Sequence, residues 1–332
     1  MTQRLGTIRV LRHESNVLRS NPLGDPFVRD LPVYLPPGYE DSSYSFPVVF
    51  FLSGFAGRGQ MLLNDSPFAP NMRERLDRLI LDGKIRPLIG VMPDCFTRYG
   101  GSQYLNSPAT GQYEDYVINE LVEFIDENFR TLQNSATRAV AGISSGGYGA
   151  LRLSMMHPEV FGLAASIAGD CYFEACYKPD LFKGFRGIAG DTQKLLDSFF
   201  DETAAKGKYA FDGLNIIGMS ACYSPNPNGG FDLPFDPETG ILREDVWKRW
   251  LLHDPLRMVQ ENLENLKRLS LLYLDAGTKD EFNLDIGARA LSSELSKFGI
   301  AHIHTEFDGG HFGIKHRYDP ALVAISNATK SR

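Results

Sequence analysis

Gly142-Ile143-Ser144-Ser145-Gly146 is the stretch of this chain with the clearest chemical meaning. It follows an apolar run, Ala139-Val140-Ala141, and precedes a segment of helical character, Gly149 to His157. A nucleophilic serine on a tight strand-to-helix turn needs small neighbours so that the turn can close. Gly142 and Gly146 supply that room, and Gly147 and Gly149 extend it into the helix packing. Such a turn pushes the Ser144 hydroxyl out at the carboxyl edge of a sheet. The helix that follows brings its positive N-terminal end near the reacting atom. The competing reading is a glycine-rich turn whose serine only caps the helix. Strand, turn and helix together favour the nucleophile, and Ser145 is the weaker candidate of the two serines.

A serine hydroxyl is a poor nucleophile until a base takes its proton. Where the nucleophile sits on such an elbow, the partners follow in the order Ser, Asp, His, and the base lies in the loop after the last strand. Of the seven histidines, His311 meets this condition, in Asp308-Gly309-Gly310-His311-Phe312-Gly313. The glycines let that loop bend back toward the elbow. His316 is the runner-up, on a following helix, and His302 and His304 read as packing or surface residues of the last strand. Two aspartates offer the acid that would hold the imidazole: Asp275, at a strand end, and Asp280, beyond the Gly277-Thr278 turn. Either could instead be a turn or cap residue. Asp280 precedes a helical segment, so capping is its live rival. The backbone N–H groups of Phe55, in Leu52-Ser53-Gly54-Phe55-Ala56-Gly57, and of Ser145 are placed to form an oxyanion hole. Such donors contribute on the order of 3 kcal/mol each to acyl transfer.

These residues must be carried by a sheet. Short apolar runs alternate with segments of helical period, which predicts an α/β chain with a mostly parallel central sheet and helices on its faces. Buried strands are expected over Val48 to Leu52 and Leu88 to Met92, and further strands over Arg138 to Gly142, Phe161 to Gly169, Leu269 to Asp275 and His302 to Phe307. Arg29 to Pro36, with Leu31, Val33 and Leu35 alternating, reads as a half-exposed antiparallel strand. Helices are expected over Asn71 to Gly83, Tyr113 to Arg130 and Phe282 to Phe298. Residues 171 to about 255 break the rhythm. They hold both tryptophans, many aromatics and a Pro- and Gly-rich stretch, and they read as an inserted cap with some helices, such as Thr192 to Lys206. The aromatics Tyr172, Phe173, Tyr177, Phe231, Phe235, Trp247 and Trp250 could line a pocket or form the cap's own core. A single domain over 1–332 is expected.

Composition excludes several classes. Hydrophobic residues at 43% and charged residues at 23% are the balance of a soluble globular chain. A net charge of −7 with scattered Lys and Arg argues against nucleic acid as a partner. The first residues lack the apolar core of a signal peptide, and no run approaches a membrane span, so a cytoplasmic location without membrane partner is expected. Cys95, Cys171, Cys176 and Cys222 are too sparse for a disulfide framework and read as small buried thiols.

Taken together, the motifs resemble the esterase D-like family of α/β-hydrolases, which includes S-formylglutathione hydrolases and feruloyl and tributyrin esterases. The matching stretches are LPVYLPPGY (31–39), FFLSG (50–54), SQYLNS (102–107), GQYEDY (111–116), GISSGGYGAL (142–151), LDAGTKDEF (274–282) and GGHFG (309–313). The resemblance implies the α/β-hydrolase fold and a serine carboxylic ester hydrolase working through an acyl-enzyme. It implies Ser144, Asp280 and His311 as the triad, favouring Asp280 over Asp275, and Phe55 and Ser145 as oxyanion donors. The partner would be a small-molecule ester, with no metal and no organic cofactor, and homo-oligomer formation is left open. The sequence departs from the family at Ser145, where many relatives carry Met, and at Phe55-Ala56-Gly57, where S-formylglutathione hydrolases carry Leu-Thr-Cys. An acyltransferase or thioester hydrolase using the same triad is the nearest alternative, and a non-catalytic binding protein is the more distant one.

Overall fold

The computed structural model describes residues 4–329. The three residues at either end of the expected 1–332 domain lie outside the described residues. Ten strands follow in chain order: β1 (Thr7–Glu14), β2 (Val28–Leu35), β3 (Val48–Leu52), β4 (Ile89–Val91), β5 (Asn106–Ser107), β6 (Gly111–Gln112), β7 (Arg138–Ile143), β8 (Leu163–Ile167), β9 (Leu271–Gly277) and β10 (Ile303–Phe307). Eight of them form one sheet in the order β1-β2-β4-β3-β7-β8-β9-β10, and β5 and β6 pair separately. The sheet is parallel from β4 to β10, and β1 and β2 add to it antiparallel.

The strand sequences explain this arrangement. β3 and β8 are buried at every position. Along β3, Val49 and Phe51 join one core while Val48, Phe50 and Leu52 join the other. A strand covered on both faces reads as a continuous apolar run. β2 corrects the sequence reading. It lies between β1 and β4 rather than at an edge, so Leu31 to Leu35 are all buried and the strand is not half-exposed. β1, TIRVLRHE, carries no apolar alternation and is not anticipated; it is one of the two edge strands, with β10 at the other edge, and its charged side chains guard its edge.

Helices flank the sheet on both sides. The helix Met72–Leu81 starts in a capping box in which Asn71 and Glu74 serve each other's backbone N–H, and the chain leaves it through Gly83 at φ +67°. The amphipathic stretch expected over 113–130 is helical, but a π segment, Tyr116–Leu121, interrupts it between Tyr113–Asp115 and Val122–Asn128. Tyr113, Tyr116, Val117, Leu121 and Ile125 are all buried along it. The helix expected after the last strand is Tyr318–Ala328, and His316 lies not on it but in the 3-10 turn Ile314–Arg317 before it. No helix among the described residues is long and apolar enough to cross a membrane.

The chain between β8 and β9 contains Phe173–Cys176, Leu181–Ile188, Thr192–Phe200, Ala210–Tyr223 and Glu244–Leu251, among shorter helices. Thr192–Phe200 is capped by Asp191 and stops six residues before the expected Lys206. Gly187 lets Leu181–Ile188 lie against Ala210–Tyr223: a Cβ there would stand 2.0 Å from the Tyr209 carbonyl oxygen. Phe173, Tyr177, Trp247 and Trp250 are buried and pack with Tyr223 or one another, edge to face or tilted, and buried Phe235 packs edge to face on Phe185. All four cysteines are buried free thiols.

Candidate active site

β7 runs into Ser144, and the helix Ser145–Met156 begins at the next residue, four positions earlier than the sequence suggests. Ser144 has φ 59° and ψ −127°, a backbone conformation costing a non-glycine residue roughly 1–3 kcal/mol. Its neighbours make the turn possible. A Cβ on Gly142 would fall 2.3 Å from the Gly146 carbonyl carbon, and one on Gly146 would fall 2.2 Å from the Leu52 carbonyl oxygen. The Ser144 N–H donates to the Ile167 carbonyl on β8 at 3.0 Å, which fixes the turn to the sheet.

The structure brings Ser144, His311 and Asp280 together. His311 Nε2 lies 3.0 Å from Ser144 Oγ, and His311 Nδ1 lies 2.9 Å from Asp280 Oδ2. An ionised carboxylate only accepts, so Nδ1 carries the proton and Nε2 is left to accept from the serine hydroxyl. The Asp280 side chain is 0% exposed and that of His311 is 8% exposed. Asp280 also caps: its Oδ1 accepts the N–H of Phe282 at 2.9 Å and of Leu284 at 3.4 Å. The imidazole meets the edges of Phe282 and Phe312.

The loop bearing His311 is tied down by Glu281, which the sequence reading did not single out, and by close packing at its glycines. The His311 N–H donates to Glu281 Oε2 at 2.6 Å. A Cβ on Gly310 would sit 2.7 Å from the Glu281 carboxylate oxygens, and one on Gly277 would sit 2.3 Å from the Gly309 carbonyl oxygen. The two alternatives lie elsewhere. Asp275 is held by Arg317 through Nε at 2.8 Å and Nη2 at 3.1 Å. His316 is exposed, with Nδ1 3.3 Å from the Gly313 carbonyl.

Ser145 is the first residue of its helix, so its N–H has no intrahelical acceptor. In the facing loop, the Ala56 N–H goes to the Gly100 carbonyl at 2.8 Å and the Gly57 N–H to the Gly54 carbonyl at 2.9 Å. The Phe55 N–H has no backbone acceptor among the described residues. The loop lies close to the nucleophile: a Cβ on Gly54 would be 3.5 Å from Ser144 Cβ. The segment 100–104 supports it from behind, since the Tyr104 hydroxyl donates to the Ser53 carbonyl at 2.6 Å and the Phe55 ring packs on Gly100. This segment overlaps the SQYLNS stretch, whose match to a family carried no role at the sequence level.

A cavity of about 530 Å³ opens over Ser144 and His311. Phe55, Leu62, Phe282, Leu284 and Phe312 give it apolar walls, and Asp170, Asp180, Asp212 and Asn215 line it on the side of the β8–β9 connection. Of the aromatics named there from sequence, Tyr177 alone lines the cavity, and the others pack away from it. Burial pushes the Asp170 carboxyl above its ordinary range, an effect offset by the Tyr177 hydroxyl and by the nearby His311. Burial also drives the Tyr177 and Tyr223 phenols far upward, so both remain hydrogen-bond donors. Asp170 escaped the sequence reading. Its place just past the carboxyl end of β8, beside the nucleophile's strand, was the available signal, because ligands of open α/β sheets bind at that edge.

Comparisons with known proteins identify the family and the fold. A family model described as "Putative esterase" matches residues 28–326. The chain is 31% identical over 144 residues to an endo-1,4-beta-xylanase/feruloyl esterase of Xylanibacter ruminicola, a match covering 42% of this chain and 19% of that protein. It is 29% identical over 211 residues to an uncharacterized protein of Bacillus subtilis, covering 58% of this chain and 80% of that one. The structure is similar to that of a ferulic acid esterase at a TM-score of 0.63 and 18% identity, covering 98% of this chain and 99% of that one.

Proposed function

The chain belongs to the Putative esterase family and has the α/β-hydrolase fold, and from that premise we propose that it is a serine carboxylic ester hydrolase working through an acyl-enzyme. One observation carries this reading: Ser144 Oγ, His311 and Asp280 form a continuous hydrogen-bonded chain at the floor of a cavity of about 530 Å³. Ser144 attacks the ester carbonyl while His311 Nε2 takes its proton. The N–H groups of Phe55 and Ser145 receive the oxyanion. His311 then returns the proton to the leaving alcohol. Water attacks the acyl carbonyl while His311 takes its proton, and His311 returns that proton to Ser144 Oγ as the bond to the serine breaks and the acid is released. Asp280 holds the imidazole in the required tautomer and stabilises the imidazolium between these steps. The helical segment at about 171–255 acts as an inserted cap that walls the cavity.

Hydrolysis of p-nitrophenyl esters from acetate to laurate, and of a feruloyl ester, by wild type and Ser144→Ala tests this reading. Turnover by wild type that Ser144→Ala abolishes supports it, and the chain-length profile sizes the pocket. Retained turnover in folded Ser144→Ala would remove the serine from the chemistry.

A further inference from the structure

Three hydrogen bonds converge on one oxygen of Asp170. Its Oδ2 accepts from the Tyr177 hydroxyl at 2.7 Å, from Gln103 Nε2 at 3.2 Å and from Ser145 Oγ at 3.4 Å. Its other oxygen, Oδ1, accepts from no group among the described residues. The residue is 7% exposed, and the cavity above Ser144 is the surface it lines. Oδ1 is accessible at the cavity wall, where a donor on a bound substrate can reach it. The fold holds Asp170 there rigidly. Ala168 takes a left-handed φ of 45° and its N–H donates to the Asp275 carbonyl at 2.6 Å. A Cβ on Gly169 would stand 2.2 Å from Ser166 Oγ and 2.7 Å from the Gly147 carbonyl carbon, so the turn is closely packed there. Buried Asp254 then pins the chain beyond, accepting the N–H groups of Tyr172 and Phe173 at 2.8 and 2.9 Å. The donors to Oδ2 are themselves fixed: Gln103 has φ 48°, and its Nε2 also lies 3.0 Å from the Tyr223 hydroxyl.

We propose that Asp170 Oδ1 is a substrate-reading acceptor, which selects esters carrying a hydroxyl in the acyl or alcohol portion over their unsubstituted counterparts. The inference rests on the serine esterase reading. An apolar cavity with one oriented acceptor discriminates strongly, because a substrate lacking the matching donor leaves that acceptor unpaired. The contact at Ser145 brings the acceptor next to the residue whose N–H faces the oxyanion. The hydroxyl is therefore read close to the scissile bond.

Asp170→Asn tests the assignment. The donors at Oδ2 hold the amide oxygen in that place and turn the NH2 group into the cavity, so an acceptor becomes a donor at nearly constant shape. The readout is the ratio of kcat/KM between hydroxylated and plain esters, taken in two arms. One arm compares 2-hydroxyethyl butyrate with ethyl butyrate, and the other compares methyl 3-hydroxybutyrate with methyl butyrate. Wild type should prefer the hydroxylated member by at least about tenfold in one arm, which identifies the portion read. Asp170→Asn should bring that ratio to within about threefold of unity, and Asp170→Ser gives the same readout should the first variant not fold. A purely structural role for Asp170 would slow both members equally and leave the ratio unchanged, which overturns the proposal. Ser144-dependent turnover by wild type with no hydroxyl preference in either arm overturns the role of Asp170 alone. Absence of any Ser144-dependent turnover overturns the esterase reading with it.

Discussion

Asp280 serves His311 with one carboxylate oxygen and the start of the next helix with the other, Oδ2 lying 2.9 Å from Nδ1 and Oδ1 accepting the Phe282 N–H at 2.9 Å. Capping and orienting the base, weighed as rivals from sequence, are geometrically compatible on one side chain. Asp280→Asn should lower kcat by about 10³- to 10⁴-fold, because the amide favours the wrong imidazole tautomer. Asp275→Asn instead disturbs the pair with Arg317. Its effect should fall on stability, on the order of 3 kcal/mol, with kcat changed only a few-fold. Kinetics and urea unfolding of both variants check this, and the reverse order would move the acid to Asp275.

Gly310 is the position where a single methyl group should disturb the base without touching it. An alanine Cβ there would press to 2.7 Å on the Glu281 carboxylate, which accepts the His311 N–H. Gly310→Ala should lower kcat by at least about tenfold, since a displacement of about 1 Å at a catalytic group can cost on the order of a hundredfold. Kinetics close to wild type would mean that Glu281 is free to move and does not hold the loop.

Two histidines outside the site should give opposite pH signatures in stability. His253 stacks on Tyr223, and burial, with Arg152 nearby, pushes its pKa down to about 4. The unfolded chain holds this proton up to about pH 6.5, so the folded state binds fewer protons between those values. Stability present above about pH 6.5 is therefore lost as pH falls toward 4, by up to about 3 kcal/mol. His157 lies 2.7 Å from Glu114, and that hydrogen bond raises its pKa. Its contribution is fully present below about pH 6.5 and is lost as pH rises through the folded value. Urea unfolding across this range should show a flatter acid slope for His253→Phe. His157→Gln should cost more at about pH 5 than at about pH 8. A His253→Phe slope equal to that of wild type would contradict the first assignment.

Much of the sheet and of the site was legible because local rules governed it. β3, β7 and β9 are continuous apolar runs ending where the chemistry begins, and the elbow around Ser144 needs glycines that are conspicuous in sequence. What was hidden depends on tertiary neighbours. β1 is an edge strand with no apolar period, and its pairing with β2 also buries the strand expected to be half-exposed. The π segment Tyr116–Leu121 leaves the helical pattern of apolar residues intact. Asp170, Gln103 and Tyr177 meet across about 70 residues of chain, and no spacing rule links them. The aromatics of the β8–β9 connection could not be sorted into pocket and core from composition, because that choice is made by packing.

The central claim is that Ser144 carries the acyl group. Rapid mixing of the enzyme with p-nitrophenyl acetate, with quenched samples read by intact-protein and peptide mass spectrometry, tests it most directly. A burst of p-nitrophenolate matching the enzyme concentration, with an acetyl group on the peptide containing Ser144, is the predicted result. Turnover without any acetylated intermediate at Ser144, or acetylation at another residue that Ser144→Ala leaves unchanged, would contradict the account.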